Sequence, residues 1–198
     1  MKQINLIQKY LLNNIGIFTY ILFVYFCFIC LYILSQSRPD TLVRAISDFG
    51  FYDETKWIFV FMCTFTSIGS LIFYKQILKF LSLENNILLN IIGFSICLSF
   101  IGLSITPYNE FFFFHAGFAS ILFGGFGIFL FYISYIKKFQ GIYIKLSAII
   151  GIIELLFLLF GFAYLAKISG GWGLPTIFLL LLIGLWTVIS EYYLNQKN

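Results

Sequence analysis

Two side chains in this sequence could carry chemistry inside a membrane. His115 is the single histidine, and it follows a polar stretch that contains Pro107 and Glu110. Glu154 lies near the middle of a long apolar run. Inserting a charged residue there costs about 3 kcal/mol on translocon scales. Glu154 is therefore interpreted either as a functional site or as a protonated acid that is hydrogen-bonded to a neighbour, and the sequence favours neither.

The cysteines are a second possible source of chemistry. All four lie in apolar runs, and Cys27 and Cys30 form a CxxC pair. A reactive thiol needs access and a lowered pKa, whereas the neighbours of this pair are apolar or aromatic. We interpret the cysteines as small hydrophobic residues, with a quinone-linked oxidoreductase as the alternative. The sequence contains no hydrolase triad order, phosphate loop or zinc-protease motif, so it predicts no cofactor and no metal and gives no motif support for an enzyme.

The composition indicates which secondary-structure elements position these residues. Of the 198 residues, 61% are hydrophobic and 10% are charged, which is too apolar for a soluble domain. Six apolar segments each approach the roughly 20 residues that cross a bilayer. They cover 14–35, 57–75, 87–105, 111–136, 143–166 and 174–194. We predict an all-α integral membrane protein, a single six-transmembrane-helix bundle over residues 1–198, with no broken helix evident.

The basic residues predict the orientation of this bundle. Cytoplasmic ends tend to hold more lysine and arginine than outer ends. If both termini are cytoplasmic, most of the basic residues fall on the inside, and the outer loops hold Arg38, Arg44, Lys56 and Lys167. We therefore predict a multi-pass protein of the cell membrane with both termini in the cytoplasm. Glu191 would lie near the cytoplasmic end of the sixth helix and snorkel, with no assigned role.

Small residues predict which helix faces pack, because they allow close backbone approach in lipid. Ala116, Ser120 and Gly124 recur every four residues on the fourth helix, and Ser147 and Gly151 share a face of the fifth. We expect both faces to point inward.

The depth of each residue follows from the helical rise of about 1.5 Å per residue. His115 and Glu154 would differ in depth by about 10 Å if both helices are straight. The two residues are therefore expected to belong to separate sites, His115 at the outer surface and Glu154 at the midplane.

The outer loops hold most of the polar residues that do not set topology. Arg44, Ser47 and Asp48 follow the first helix, and Glu110 and His115 flank the start of the fourth. We predict that these five residues line a binding site for a lipid headgroup or small ligand. A catalytic alternative is lipid acyl transfer with His115 as base beside Ser47 and Asp48.

Short motifs in the same loops resemble a known family. Residues 46–50 read ISDFG, Pro107 precedes HAGFA at 115–119, and GGW occupies 170–172. They resemble the I-S-D-x-G and P…H-x-x-x-A pattern of a prokaryotic six-helix membrane protein family of unknown function. The sequence departs from that pattern at Gly173-Leu174, where the family has Glu-Arg. The family is similar in layout to autophagy-modulator and GPI-lipid-remodelling membrane proteins, and this resemblance implies lipid-related work.

Three functions are thus carried forward from the sequence. The first is ligand binding at the outer face, with the bilayer and a bound lipid as partners and no nucleic acid. The second is a proton-coupled transporter or channel subunit that uses Glu154. The third is a structural subunit of a membrane complex, with a membrane-protein partner or a homo-oligomer.

Overall fold

The structure, a computed structural model, describes residues 14–38, 40, 45–108, 110–169 and 173–196. Six helices in these ranges are long and apolar enough to cross a membrane. They are α1 (Ile15–Ser37), α2 (Lys56–Phe80), α3 (Ile87–Ile105), α4 (Phe112–Ile136), α5 (Ile142–Ser169) and α6 (Gly173–Asn195). No strand occurs among the residues described, so the predicted all-α class with six apolar spans is confirmed.

The helix ends follow local sequence signals. The side chain of Asn86 accepts a hydrogen bond of 3.0 Å from the amide of Leu89, which caps the start of α3. Past the ends of α2 and α4, Ser82 and Lys138 adopt positive φ angles of 52° and 51°. In both places the following amide bonds back to a carbonyl five residues earlier, as in a Schellman motif. The helices therefore reverse in tight turns, which keeps neighbours antiparallel.

Each helix packs against the next in the chain, and α6 returns to contact α1, α2 and α5. The indole of Trp186 on α6 is 2% exposed and forms the centre of an aromatic cluster. Its ring centroid lies 5.7 Å from Phe73 on α2 and 5.3 Å from Phe126 on α4. Aromatic contacts across three helices bury large areas and fix α6 between α2 and α4.

The beginning of α1 and the end of α6 meet on one side of the bundle, which we call the terminal face. The side-chain amide of Asn195 donates to Asn14 over 3.0 Å there. The opposite side, which we call the loop face, holds the short 3-10 helix Ile46–Gly50. The prediction that the terminal face is cytoplasmic stays a prediction.

The expectation for the small residues of α4 is wrong for Ser120 and Gly124. Ser120 is exposed, and a Cβ atom added at Gly124 would meet no atom within 4 Å. The packed face of α4 is the one that carries Phe126, Phe129 and Leu130. Large side chains bury more area than a small-residue stripe does, so they decide which face turns inward. On α5 the expectation is correct, because Ser147 and Gly151 are buried.

Candidate functional site

Glu154 is fully buried in α5, with no exposed surface. Neither carboxyl oxygen has a hydrogen-bond partner among the described residues. Buried polar groups in native proteins are nearly always paired, and an unpaired one calls for an explanation. The predicted hydrogen-bonded acid therefore finds no partner here, which leaves the functional interpretation of Glu154 as the one to pursue.

Tyr74 of α2 is the polar neighbour that the structure adds to Glu154. The two side chains are close enough to interact electrostatically, and Cys97 of α3 interacts with Tyr74 in the same way. Tyr74 is 5% exposed, and its hydroxyl also has no hydrogen-bond partner in the described part of the chain. Its ring packs edge-on against Phe129, with centroids 4.5 Å apart, so the position of the hydroxyl is set by packing.

The hydrogen-bond register of α5 changes three residues after Glu154, at Phe157. Residues Phe157–Gly161 form a π-helical turn within α5, and the amide of Phe157 points to the carbonyls of both Glu154 and Ile153. Sequence reasoning did not anticipate an interrupted helix, because the apolar run is continuous through this turn. A π turn widens the helix by one residue and is frequent at functional sites. The ring of Phe157 packs on Phe178 of α6, with centroids 4.4 Å apart, which holds the turn against its neighbour.

Four side chains of α5 and α6 that lie closer to the terminal face form a hydrogen-bonded network, in contrast to Glu154. The indole nitrogen of Trp186 donates to Ser147 over 3.1 Å, and the hydroxyl groups of Tyr143 and Ser190 are 3.0 Å apart. Ser147 in turn donates to the carbonyl of Tyr143. This network links α5 to α6 and fixes the face that presents Glu154. The unpaired carboxyl group therefore lies within a well-ordered set of contacts.

A cavity of about 230 Å³ lies between α2 and α3, and Tyr74 forms part of its wall. It occupies the half of the bundle near the terminal face, because its lining residues come from the end of α2 and the start of α3. The ring of Tyr74 thus lies between the cavity and the interior of the bundle, where the buried hydroxyl interacts with Glu154.

His115 lies in the first turn of α4 and is 7% exposed. Its Nδ1 atom is 2.6 Å from the carbonyl oxygen of Thr106. A carbonyl only accepts, so Nδ1 carries the proton and donates. The ring of Tyr108 packs edge-on against the imidazole with centroids 5.9 Å apart. His115 therefore joins the turn after α3 to α4, and no hydrogen bond among the described residues joins it to Glu154.

The other predicted outer-site residues are only partly brought together. The carboxylate of Asp48 accepts from the amide of Ala45 over 3.0 Å, and it also interacts electrostatically with His115. Ser47 is half-buried and Glu110 is exposed, whereas Arg44 lies outside the described residues. A ligand site or an acyl-transfer centre at the loop face stays a prediction.

The 3-10 helix is nevertheless well fixed beside His115. The hydroxyl of Thr55 is buried and donates to the carbonyl of Phe49 over 2.7 Å. A Cβ atom added at Gly50 would lie 3.6 Å from the carbonyl oxygen of Ser104. The segment after α1 is therefore packed onto the end of α3, which explains how Asp48 approaches His115.

Glu191 has a role that sequence reasoning missed. It is fully buried, and its Oε1 atom accepts from the amides of Gly16 and Ile17 over 2.5 and 3.0 Å. These amides belong to the first turn of α1, which has no earlier carbonyl for them, so the carboxylate caps that helix. The small polar face of α6, on which Gly184 and Thr187 precede Glu191, was a signal that this residue points inward.

Arg38 and Glu54 form an ion pair at the loop face, with Arg38 Nε 2.8 Å from Glu54 Oε1. The guanidinium also lies over the ring of Tyr52, 5.4 Å from its centroid. The hydrogen bond from Arg38 holds the pKa of Glu54 below its ordinary value. The sequence predicted Arg38 only as a determinant of topology. Its ion pair with Glu54 was not predicted, because the two residues lie 16 positions apart in the chain.

The cysteines lie where the sequence placed them. All four are free thiols, and Cys30, Cys63 and Cys97 are buried. The thiol of Cys27 lies 3.9 Å from the sulfur of Met62. The contacts are those of small packing residues.

Comparison with known proteins found no match to a family model, to a curated protein or to a solved structure. The family resemblance drawn from short motifs therefore stays a prediction, and the function has to be inferred from the geometry around Glu154.

Proposed function

We propose that this chain is a multi-pass membrane transport protein in which Glu154 takes up and releases a proton. The observation that carries the proposal is the buried carboxyl group whose two oxygens both lack a partner among the described residues. An ionised carboxylate in such a place is strongly disfavoured, so the environment favours the neutral acid. Ionisable residues within membrane bundles are typical of proton relays.

A reversible proton site also needs a connection to water, and Tyr74 supports one. Its unpaired hydroxyl interacts electrostatically with Glu154 and belongs to a side chain that lines the cavity between α2 and α3. A tyrosine hydroxyl both donates and accepts, so it passes a proton once a movement of its ring brings the buried hydroxyl to water in the cavity. The route proposed is therefore from the terminal face through the cavity and Tyr74 to Glu154.

The π turn supports a site that changes during turnover. Its π-type hydrogen bond runs from the amide of Phe162 to the carbonyl of Phe157, three residues after Glu154, so a shift between π and α register in Phe157–Gly161 would rotate the part of α5 beyond it. Helices with local interruptions next to a buried ion or proton site are a recurrent feature of secondary transporters.

The test compares Glu154→Gln with the native chain after reconstitution into vesicles. Glutamine keeps the size of the side chain and cannot bind a proton in this way. We expect the infrared band of a buried protonated carboxyl group to respond to pH in the native protein and to be lost in Glu154→Gln. Proton entry driven by a membrane potential, measured with a trapped pH dye, should fall together with it.

The matched control is Glu191→Gln, which alters the second buried carboxylate of the bundle without touching Glu154. The proposal predicts that this variant keeps the pH-dependent band and the proton entry. If Glu154→Gln leaves both signals as they are in the native chain, Glu154 is not the proton site and the proposal fails.

A further inference from the structure

The segment that joins α4 to α5 carries three lysines, Lys137, Lys138 and Lys145, which we call the basic patch. The hydroxyl of Ser134 donates to the carbonyl of Ile144 over 3.0 Å, so the end of α4 and the start of α5 are in contact. Lys137 and Lys138 directly follow α4, and Lys145 lies in the first turn of α5. The three lysines therefore belong to one short segment at one end of the bundle.

The basic patch lies at the terminal face. The ring of Tyr143, in the first turn of α5, packs on Tyr193 near the end of α6 with centroids 5.2 Å apart. The hydroxyl of Tyr143 lies 3.0 Å from that of Ser190 on the same helix. The ring of Phe80, the last residue of α2, packs edge-on against Tyr143 with centroids 6.0 Å apart. The ends of α2 and α6 thus meet the start of α5, and Lys79 of α2 adds a further exposed cation at this end.

No acidic side chain of the described residues compensates the charge of the basic patch. Two of its three lysines are exposed and the third is half-buried, and none forms an ion pair within the described ranges. Of the acidic residues, Glu154 and Glu191 are buried, and the others except Glu84 belong to the loop face. Like charges that share a small surface repel each other, so anions beside the lysines lower the free energy of this arrangement.

Exposed apolar side chains border the basic patch and indicate the kind of anion that fits it. Tyr135 is 64% exposed, Ile142 is 65% exposed and Phe139 is 38% exposed. Aromatic side chains at helix ends are typical of the zone where lipid headgroups meet acyl chains. A layer of anionic phospholipids supplies acyl chains to the apolar groups and phosphates to the lysines. An acidic polypeptide in solution would match the charge and leave the apolar groups uncovered.

From this arrangement we propose that the basic patch is an interaction surface for anionic phospholipids. The lysines contact the phosphate groups of several neighbouring lipids, and the apolar side chains beside them contact the acyl chains of the same lipids. Basic residues at helix ends also direct the insertion of a helix, and that role requires no preference for anionic lipids in the folded protein. The proposal does not rest on proton transport by Glu154.

The experiment places a fluorescent reporter beside the basic patch of the full chain. Trp57 and Trp172 are replaced by phenylalanine, and Ile142→Trp adds an exposed indole, whereas Trp186 is 2% exposed and shielded from lipid. The protein is reconstituted into phosphatidylcholine vesicles with increasing fractions of dibrominated phosphatidylglycerol or dibrominated phosphatidylcholine, whose bromine atoms quench nearby indoles. We expect the reporter to favour phosphatidylglycerol roughly fivefold, the contribution of one lysine near an anionic surface. In 1 M salt, where the Debye length is about 3 Å, the preference should largely disappear.

Variants of the lysines show whether the preference belongs to the basic patch. Replacement of Lys137, Lys138 and Lys145 together by glutamine should bring the reporter close to equal quenching by the two lipids. Replacement of the same three residues by arginine keeps the charge and should retain the preference. The matched control combines Lys56→Gln with Lys167→Gln, which removes two exposed cations from the loop face and should also retain the preference.

Three results would overturn the proposal. The first is equal quenching by the two lipids when the lysines are intact, or a preference that salt does not weaken. The second is a preference that survives the triple glutamine replacement. The third is displacement of dibrominated phosphatidylglycerol by soluble polyglutamate at constant ionic strength, which would assign the surface to an acidic polypeptide. Because the salt titration uses the intact lysines, it decides the question even if the triple glutamine variant does not fold.

Discussion

The contact between Gly127 of α4 and Gly151 of α5 sets how closely these two helices approach, so Gly151→Ala should destabilise the bundle. A Cβ atom added at Gly151 would lie 2.8 Å from the carbonyl oxygen of Gly127 and 2.9 Å from Cβ of Leu130. Both are parts of α4 that cannot rotate away. The helices would have to separate by several tenths of an ångström, and the contacts along their whole interface would loosen.

The expected loss of stability depends on which atoms the added Cβ atom would contact. Inserting a methyl group into a packed core typically costs about 1–3 kcal/mol, and the rigid neighbours of Gly151 place its cost at about 2 kcal/mol. Gly127→Ala should cost less, because its nearest contact is Cγ of Leu155 at 2.8 Å, on a side chain that can change rotamer. Gly124→Ala meets nothing within 4 Å, so its effect should stay within about 0.5 kcal/mol.

Reversible unfolding of the purified protein in mixed micelles, titrated with a denaturing detergent and monitored by circular dichroism, measures these differences. The order of stability should be Gly124→Ala, then Gly127→Ala, then Gly151→Ala as the least stable. If Gly124→Ala lost as much stability as Gly151→Ala, or if Gly151→Ala unfolded like the native chain, the reasoning from close backbone approach would be refuted.

The remaining predictions concern the capping and loop contacts. Glu191→Leu should lower the free energy of unfolding by roughly 1–3 kcal/mol, because the first amides of α1 lose their acceptor. Glu191→Gln keeps an oxygen at this place, so its free energy of unfolding should fall less. Equal losses in the two variants would contradict the capping role. His115→Phe should speed amide hydrogen exchange in the turn that holds Thr106, because the carbonyl of Thr106 loses its donor. His115→Asn should restore protection, because its side-chain amide can replace Nδ1–H as the donor. Equal exchange rates in the two variants would contradict the donor role. The folded-state pKa of Glu54 is depressed by Arg38, so the pair stabilises the loop above the ordinary pKa of glutamate and loses this contribution as the pH falls through the folded-state pKa. Limited proteolysis of this loop should therefore accelerate in acid for the native chain, and Glu54→Gln, which begins without the ion pair, should show a weaker dependence on pH.

The apolar runs predicted the six spans to within a few residues at most ends, because a bilayer imposes both the length and the composition of a helix that crosses it. The largest difference is at the end of α2, predicted near residue 75 and observed at Phe80. Hydropathy marks the part of a helix that lies in lipid. It does not detect the further residues 76–80, which carry Lys79 and continue the helix until Ser82 reverses the chain.

The contacts between helices were harder to predict. The sequence identified Glu154 as an intramembrane acid, yet its unpaired state and its neighbour Tyr74 depend on how α2 and α5 pack together. The inward role of Glu191 depends on amides that lie 174 and 175 residues earlier in the chain. Periodicity reports which residues share a face of one helix, and it carries no information on which other helix that face meets.

The cap that Glu191 provides has a consequence for biosynthesis. The hydrogen bond between Glu191 and the amide of Gly16 spans 175 residues, and a ribosome adds roughly 5–20 residues per second. α1 therefore waits roughly 9–35 s after its synthesis before its capping carboxylate has been made. During that time its first amides depend on water or lipid headgroups, and the helix bundle closes only when the last span reaches the first. In a chain stalled before Glu191, α1 should lie in the membrane without its capping carboxylate, and membrane chaperones should bind it.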